Sequence, residues 1–279
     1  MKRIPPEGVL DWLVARESPL AQAQGEEFAK EAAAILEELG ANVVEGRGPQ
    51  LASYTGLDGV GWDADAWILH AMYEMQEHAT ETTYDDIDRV EGRPSLSRLP
   101  DDMHEVFSES TLTGVVGGLT GWPGSKWTRL RWRDLLTRLN TEPPAEERYP
   151  SDQWFPFSSW PVSIAPPGEG SLDREQFLRL LEHLAVASRD GWECTCFAYY
   201  ATGASGEWDE DVVYDGRLAD LASLIERDDL RATPSNIWPA DRSWLVYTDY
   251  DLWATKLSGS AHLIERLEAD PELEMMRLT

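Results

Sequence analysis

Hydrophobic positions along the chain follow two regimes. In the N-terminal half they recur at helical spacing. Phe28, Ala32, Ile35, Leu36 and Leu39 make one stripe over 26–39, and Gly40 stands where a helix would stop. Ala64, Trp67, Ile68, Ala71, Met72 and Met75 predict a second helix over 64–79. Trp132, Leu135, Leu136 and Leu139 predict a third over 127–139, with Asn140 beyond it. A polar, Pro-rich run at 142–147 then reads as a linker. Prolines at 156, 161, 166 and 167 exclude a helix in the aromatic segment that follows.

The C-terminal half alternates. Asp173 and Gln176 stand in capping-box register before a helix whose inward face is Phe177, Leu180, Leu181 and Leu184. Strands are expected at 192–202, 211–214, 243–248 and 250–257. Helices are expected around Leu218–Ile225 and Leu263–Leu267. The pattern predicts an α+β chain: a mainly helical N-terminal domain, 1–147, and a C-terminal α+β domain, 148–279, with a small mixed or antiparallel sheet.

Charge changes the picture most. The chain carries 51 Asp and Glu against 24 Lys and Arg, a net charge of −27, yet it also holds 13 Trp. That aromatic content separates it from disordered acidic tails. Such a charge disfavours nucleic-acid backbones and anionic membranes, and steers a basic protein inward. The start, Met1–Pro6, lacks the apolar stretch of a secretory signal. Cys194 and Cys196 are too close in sequence for an unstrained disulfide, which points to reduced thiols and a cytoplasmic setting. Both fall on one side of a strand, and a Cys-x-Cys pair alone is too few ligands for zinc.

The densest polar and aromatic constellation is Trp238, Asp241, Arg242 and Trp244, followed by Asp249 and Asp251. These residues are the candidate binding edge. Asp241 and Arg242 can pair while the two indoles pack a corner. The segment Trp238–Asp251, continued by Thr255–Gly259, resembles a recurring module of uncharacterised bacterial proteins, some of them suspected immunity-type inhibitors of toxins. The resemblance covers roughly the last quarter of the chain and brings no catalytic residue with it. Taken with the charge, it implies a non-enzymatic partner of a basic protein, such as a toxin.

Other chemistry is thinner. Asp249-Tyr250-Asp251 is similar to the Asp-x-Asp signature with which nucleotide-sugar glycosyltransferases hold a divalent metal, without the acceptor half those enzymes carry downstream. His70, Glu74 and His78 fall at i, i+4 and i+8 of the expected helix, a span of roughly 12 Å that one ion cannot bridge. Glu74 and one His remain the metal alternative, completed by acids such as Asp85 or Asp86 or by His104. Gly117–Lys126 fails the phosphate-loop spacing. Lys126, Arg129, Arg131, Arg133 and Arg138 form a basic stretch that either clamps a phosphate or acidic peptide or pairs with neighbouring acids. No Gly-x-Ser-x-Gly elbow occurs. The expectation is an interaction protein with no catalytic residue, metal or cofactor, and with a homodimer open through its Trp- and Pro-rich face.

Overall fold

The computed structural model describes residues 1–14, 57, 59–75, 82–83, 86, 116–117, 120–141, 150, 159–201, 211–227, 229–230, 232–249 and 252–278. Within them the chain is mostly antiparallel β structure, which overturns the expected helical N-terminal half and small C-terminal sheet. An eight-stranded sheet dominates, in the order β1-β9-β8-β10-β11-β12-β2-β13. Its strands are β1 Lys2–Ile4, β2 Ala64–Leu69, β8 Thr195–Tyr200, β9 Val212–Arg217, β10 Asn236–Pro239, β11 Leu245–Tyr247, β12 Ala254–Gly259 and β13 Met275–Leu278. A three-stranded sheet joins β3 Met72–Glu74 to β5 Thr128–Leu130 and β6 Ile164–Ala165. A short parallel pair links β4 Val116–Gly117 to β7 Gly168–Glu169.

The expected helix over 64–79 is the clearest correction. Its described part is the two strands β2 and β3, and every residue from Ala66 to Glu74 is buried. A segment buried on both faces shows no solvent-facing period, so an apparent helical stripe carries no information there. Pairing decides instead. All six residues of β2 lie opposite β12, from Ala64↔Gly259 to Leu69↔Ala254, and β13 takes the other side, from Asp65↔Leu278 to Ile68↔Met275. The helix expected at 26–39 lies outside the described residues.

Side-chain alternation sorts the large sheet into two faces. Ala66, Ile68, Cys196, Ala198, Tyr200, Tyr214, Ile237, Val246 and Leu257 share one buried cluster with the helices α3, Arg174–Ala187, and α4, Ala261–Glu268. The Asp173 carboxylate caps α3 by accepting from Gln176 N at 2.7 Å, and Ser260 Oγ caps α4 by accepting from Leu263 N at 3.3 Å. Phe177, Leu180, Leu181, Leu184, Leu263, Ile264 and Leu267 are the faces they bury, each worth about 1.5–3 kcal/mol of apolar transfer.

The opposite face is covered in two patches. Trp67, Leu69, Tyr247 and Trp253 pack with Trp160 and with Trp132 and Leu135 of α2, Trp132–Leu139. Tyr199, Val213, Trp238 and Leu245 pack with Leu13 of the single turn α1, Asp11–Val14, and with Leu57. Helix α2 starts at a carboxylate from the far end of the chain: Glu274 accepts from Trp132 N at 2.8 Å and from Arg133 N at 3.0 Å. Among the described residues no helix is long and apolar enough to cross a membrane.

Candidate binding site

The expected binding edge is built around the turn between β10 and β11. Trp238 is the last but one residue of β10 and stacks on Phe197, its cross-strand partner, at 5.5 Å, with Trp12 edge-on at 5.9 Å. Trp244 stands on the other face, among the helices, where its Nε1 donates to Ser188 Oγ at 3.0 Å. Two buried indoles therefore brace the turn from opposite sides of the sheet.

Between them Ala240, Asp241, Arg242 and Ser243 are exposed. Asp241 and Arg242 do not pair with each other. Asp241 Oδ1 accepts from Ser243 N at 3.0 Å, closing an Asx turn. Arg242 adopts φ +58° and lays its guanidinium 5.1 Å from the Trp12 ring centroid. Ala240 N donates to Thr195 O at 2.9 Å, so the turn abuts the start of β8. There the 3-10 turn Gly191–Glu193 exposes Trp192 at 43%, beside exposed Asp190 and Glu193. Sequence reasoning missed Trp192 as an exposed side chain; its place after Asp190-Gly191, ahead of the strand, was the available signal.

Asp249 sits elsewhere. It shares the sheet face of Trp238 but lies beyond β11, at the end opposite the turn, buried, with Tyr247 Oη donating to its Oδ2 at 3.4 Å. Burial, reinforced by Asp211 and then Asp249, holds the Tyr199 phenol well above its ordinary pKa. A shallow cleft of about 570 Å³, lined by Arg3, Ile4, Pro5, Pro6, Glu7 and Asp211, opens at the β1 edge. Asp251 lies outside the described residues, so the Asp-x-Asp pair is represented by Asp249 alone.

A second polar constellation occupies the junction between the large and small sheets. His70 is wholly buried: Nδ1 donates to Gly168 O at 2.6 Å, leaving Nε2 to accept from Thr255 Oγ1 at 3.0 Å. Thr248 Oγ1 in turn stands 2.6 Å from Thr255 Oγ1. Desolvation drives the His70 pKa down to about 3, so the ring is neutral and both nitrogens are engaged. Tyr73 Oη donates to Asp173 Oδ2 at 2.5 Å, and Gln176 ties α3 to the β2–β3 link by accepting from Ala71 N and donating to Leu69 O. Burial raises both the Tyr73 and Asp173 pKa values. Glu74 pairs with Arg138 at 2.6 Å. His78, Asp85 and His104 lie outside the described residues, and among the described residues no group of three or more His, Cys, Asp or Glu could hold a metal ion.

Three cations of the basic stretch meet groups of the same chain, while Lys126 and Arg133 are exposed. Arg138 meets Glu74, Arg131 donates to the Pro271 carbonyl, and Arg129 lies 3.6 Å from Asp173. Tyr73, Asp173 and Gln176 were absent from the sequence-derived site, although the capping register already singled out the last two. No family model, curated protein or solved structure matches the chain.

Proposed function

We propose that the chain is a non-enzymatic, cytoplasmic binder of a basic protein, acting as an immunity-type inhibitor that covers a cationic surface of its partner. One observation carries this reading: seven of the described cations are paired with carboxylates of the same chain, while several exposed acids are left without one. Arg138, Arg174, Arg179, Arg217, Arg227, Lys256 and Arg277 each meet a carboxylate of the same chain within 4.0 Å. Exposed Glu7, Asp11, Asp63, Glu175, Asp190, Asp241, Glu265 and Glu272 have no ion-pair partner among the described residues. These eight described acids face solvent unpaired, and with the chain's net charge of −27 they favour faster encounter with a cationic partner at low salt.

The docking edge in this reading is exposed Trp192 with Asp190, Glu193 and the Asp241–Arg242 turn. A half-exposed indole held on a braced turn is the kind of rigid anchor that dominates protein interfaces; Glu193 is held by Arg217 at 3.2 Å, and unpaired Asp190 and Asp241 favour positive charge. The free, buried thiols of Cys194 and Cys196, 4.0 Å apart, suit a reducing compartment. Nucleic acid and membrane partners stay disfavoured by the same charge.

A photocrosslinker at position 192, used in the native cell, tests this. The expected adduct is a basic protein whose yield falls in the Asp190→Lys/Asp241→Lys variant and whose purified complex weakens as salt rises. An acidic or neutral adduct, or binding indifferent to salt, overturns the reading.

A further inference from the structure

Arg129 carries an unfinished hydrogen-bonding edge. It lies on β5 directly opposite Tyr73 of β3, with its guanidinium carbon 5.7 Å from the Tyr73 ring centroid and Nη1 3.6 Å from Asp173 Oδ2. Its other two nitrogens, Nε and Nη2, are shielded from solvent and have no hydrogen-bond partner among the described residues. Those two N–H groups are the parallel pair of a guanidinium, the edge that takes two oxygens of one carboxylate or phosphate. Leaving charged donors buried and unmet is costly, so a native structure that keeps such an edge calls for a ligand or a function. Thr120 Oγ1 is a second shielded group without a partner among the described residues. Its carbonyl accepts from Arg174 N at 2.9 Å, one residue along the chain from the Asp173 that Arg129 faces.

We infer that the Arg129 Nε/Nη2 edge is a binding site for a small oxyanion. The ligand presents two coplanar oxygens to the fork, and Asp173 keeps Nη1, so the carboxylate and the ligand take opposite sides of one guanidinium. The site is independent of the acidic docking edge. It gives this strongly anionic chain a place where a negative group is favoured, because the receiving donors are already positioned and already dehydrated.

Titration of inorganic phosphate, with acetate in a parallel arm, tests the site in the intact protein labelled with ¹⁵N-arginine. Saturable movement of the Arg129 Nε–H resonance is expected in at least one arm, and which arm responds separates phosphate from carboxylate ligands. Arg129→Lys keeps the charge but loses the fork, and should weaken binding about tenfold or more by calorimetry. Equal, unsaturating responses of wild type and Arg129→Lys at matched ionic strength would mean a general salt effect and overturn the site. If Arg129→Lys fails to fold, the wild-type resonance decides alone: no saturable shift in either arm refutes the proposal.

Discussion

Asp270 Oδ2 stands 2.6 Å from His183 Nε2, locking the turn after α4 to the middle of α3. The same oxygen accepts from Arg179 Nε at 2.6 Å, and Arg266 Nε donates to His183 Nδ1 at 3.1 Å, which leaves Nε2 to donate to Asp270. Burial alone would raise the Asp270 pKa, but the bonds from His183, Glu272 N and Arg179 bring it below the usual carboxylate value. A depressed folded pKa contributes stability above the unfolded value near 4 that is lost as pH falls below it. Asp270→Asn should therefore cost roughly 1.5–3 kcal/mol at pH 7 by urea unfolding, and the deficit should shrink toward pH 3.

His70 has the same sign of proton linkage over a higher pH range. Its folded pKa of about 3 lies below the ordinary imidazole value of 6.5, so the unfolded chain binds the extra proton between those limits. Wild-type stability should fall as pH drops from 6.5 toward 3, with this one group contributing a slope of up to about 1.4 kcal/mol per pH unit. His70→Gln removes that contribution. Its unfolding free energy, lower than wild type at pH 7, should converge on the wild-type curve by pH 4.

Trp238 and Trp192 separate folding from binding. Trp238 is buried between Phe197 and Trp12, and Trp238→Ala should cost about 3–5 kcal/mol in chemical denaturation. Trp192→Ala, at an exposed position, should move stability by less than about 0.5 kcal/mol while weakening the salt-sensitive complex with the basic partner. A large stability loss at 192 would make that indole a structural residue instead.

Gly59 is held at φ +63°, and a Cβ there would stand 2.7 Å from Leu245 Cδ2. Its carbonyl also accepts from buried Lys256 Nζ at 3.3 Å. Gly59→Ala combines left-handed backbone strain with a clash and should lower stability by about 1–3 kcal/mol, read as a reduced midpoint in urea with an unchanged m value.

The parts of the fold legible in the sequence were those governed by local rules. Asp173 and Gln176 marked the start of α3, and Leu263, Ile264 and Leu267 marked the buried face of α4, because a one-sided helix writes its period into the chain. Residues 64–74 wrote nothing comparable. Their partners are β12, β13, β5 and β6, all distant in sequence, and double-sided burial removes the alternation that would betray a strand. The binding edge divided the same way. The Trp238–Trp244 corner was visible as composition, but only pairing places those indoles on opposite faces and sends Asp249 to the far end. Arg129 and Tyr73 met through a register that no spacing encodes.

The insertion of β2 between β12 and β13 sets a timetable for synthesis. A nascent chain that has emerged only as far as residue 253 holds an apolar hexapeptide with neither neighbour yet made, so the large sheet cannot assemble progressively from the N-terminus. Ribosome-stalled intermediates should keep 64–69 open to proteolysis and chaperones until the closing residues appear, and maturation should then proceed as one late, cooperative event.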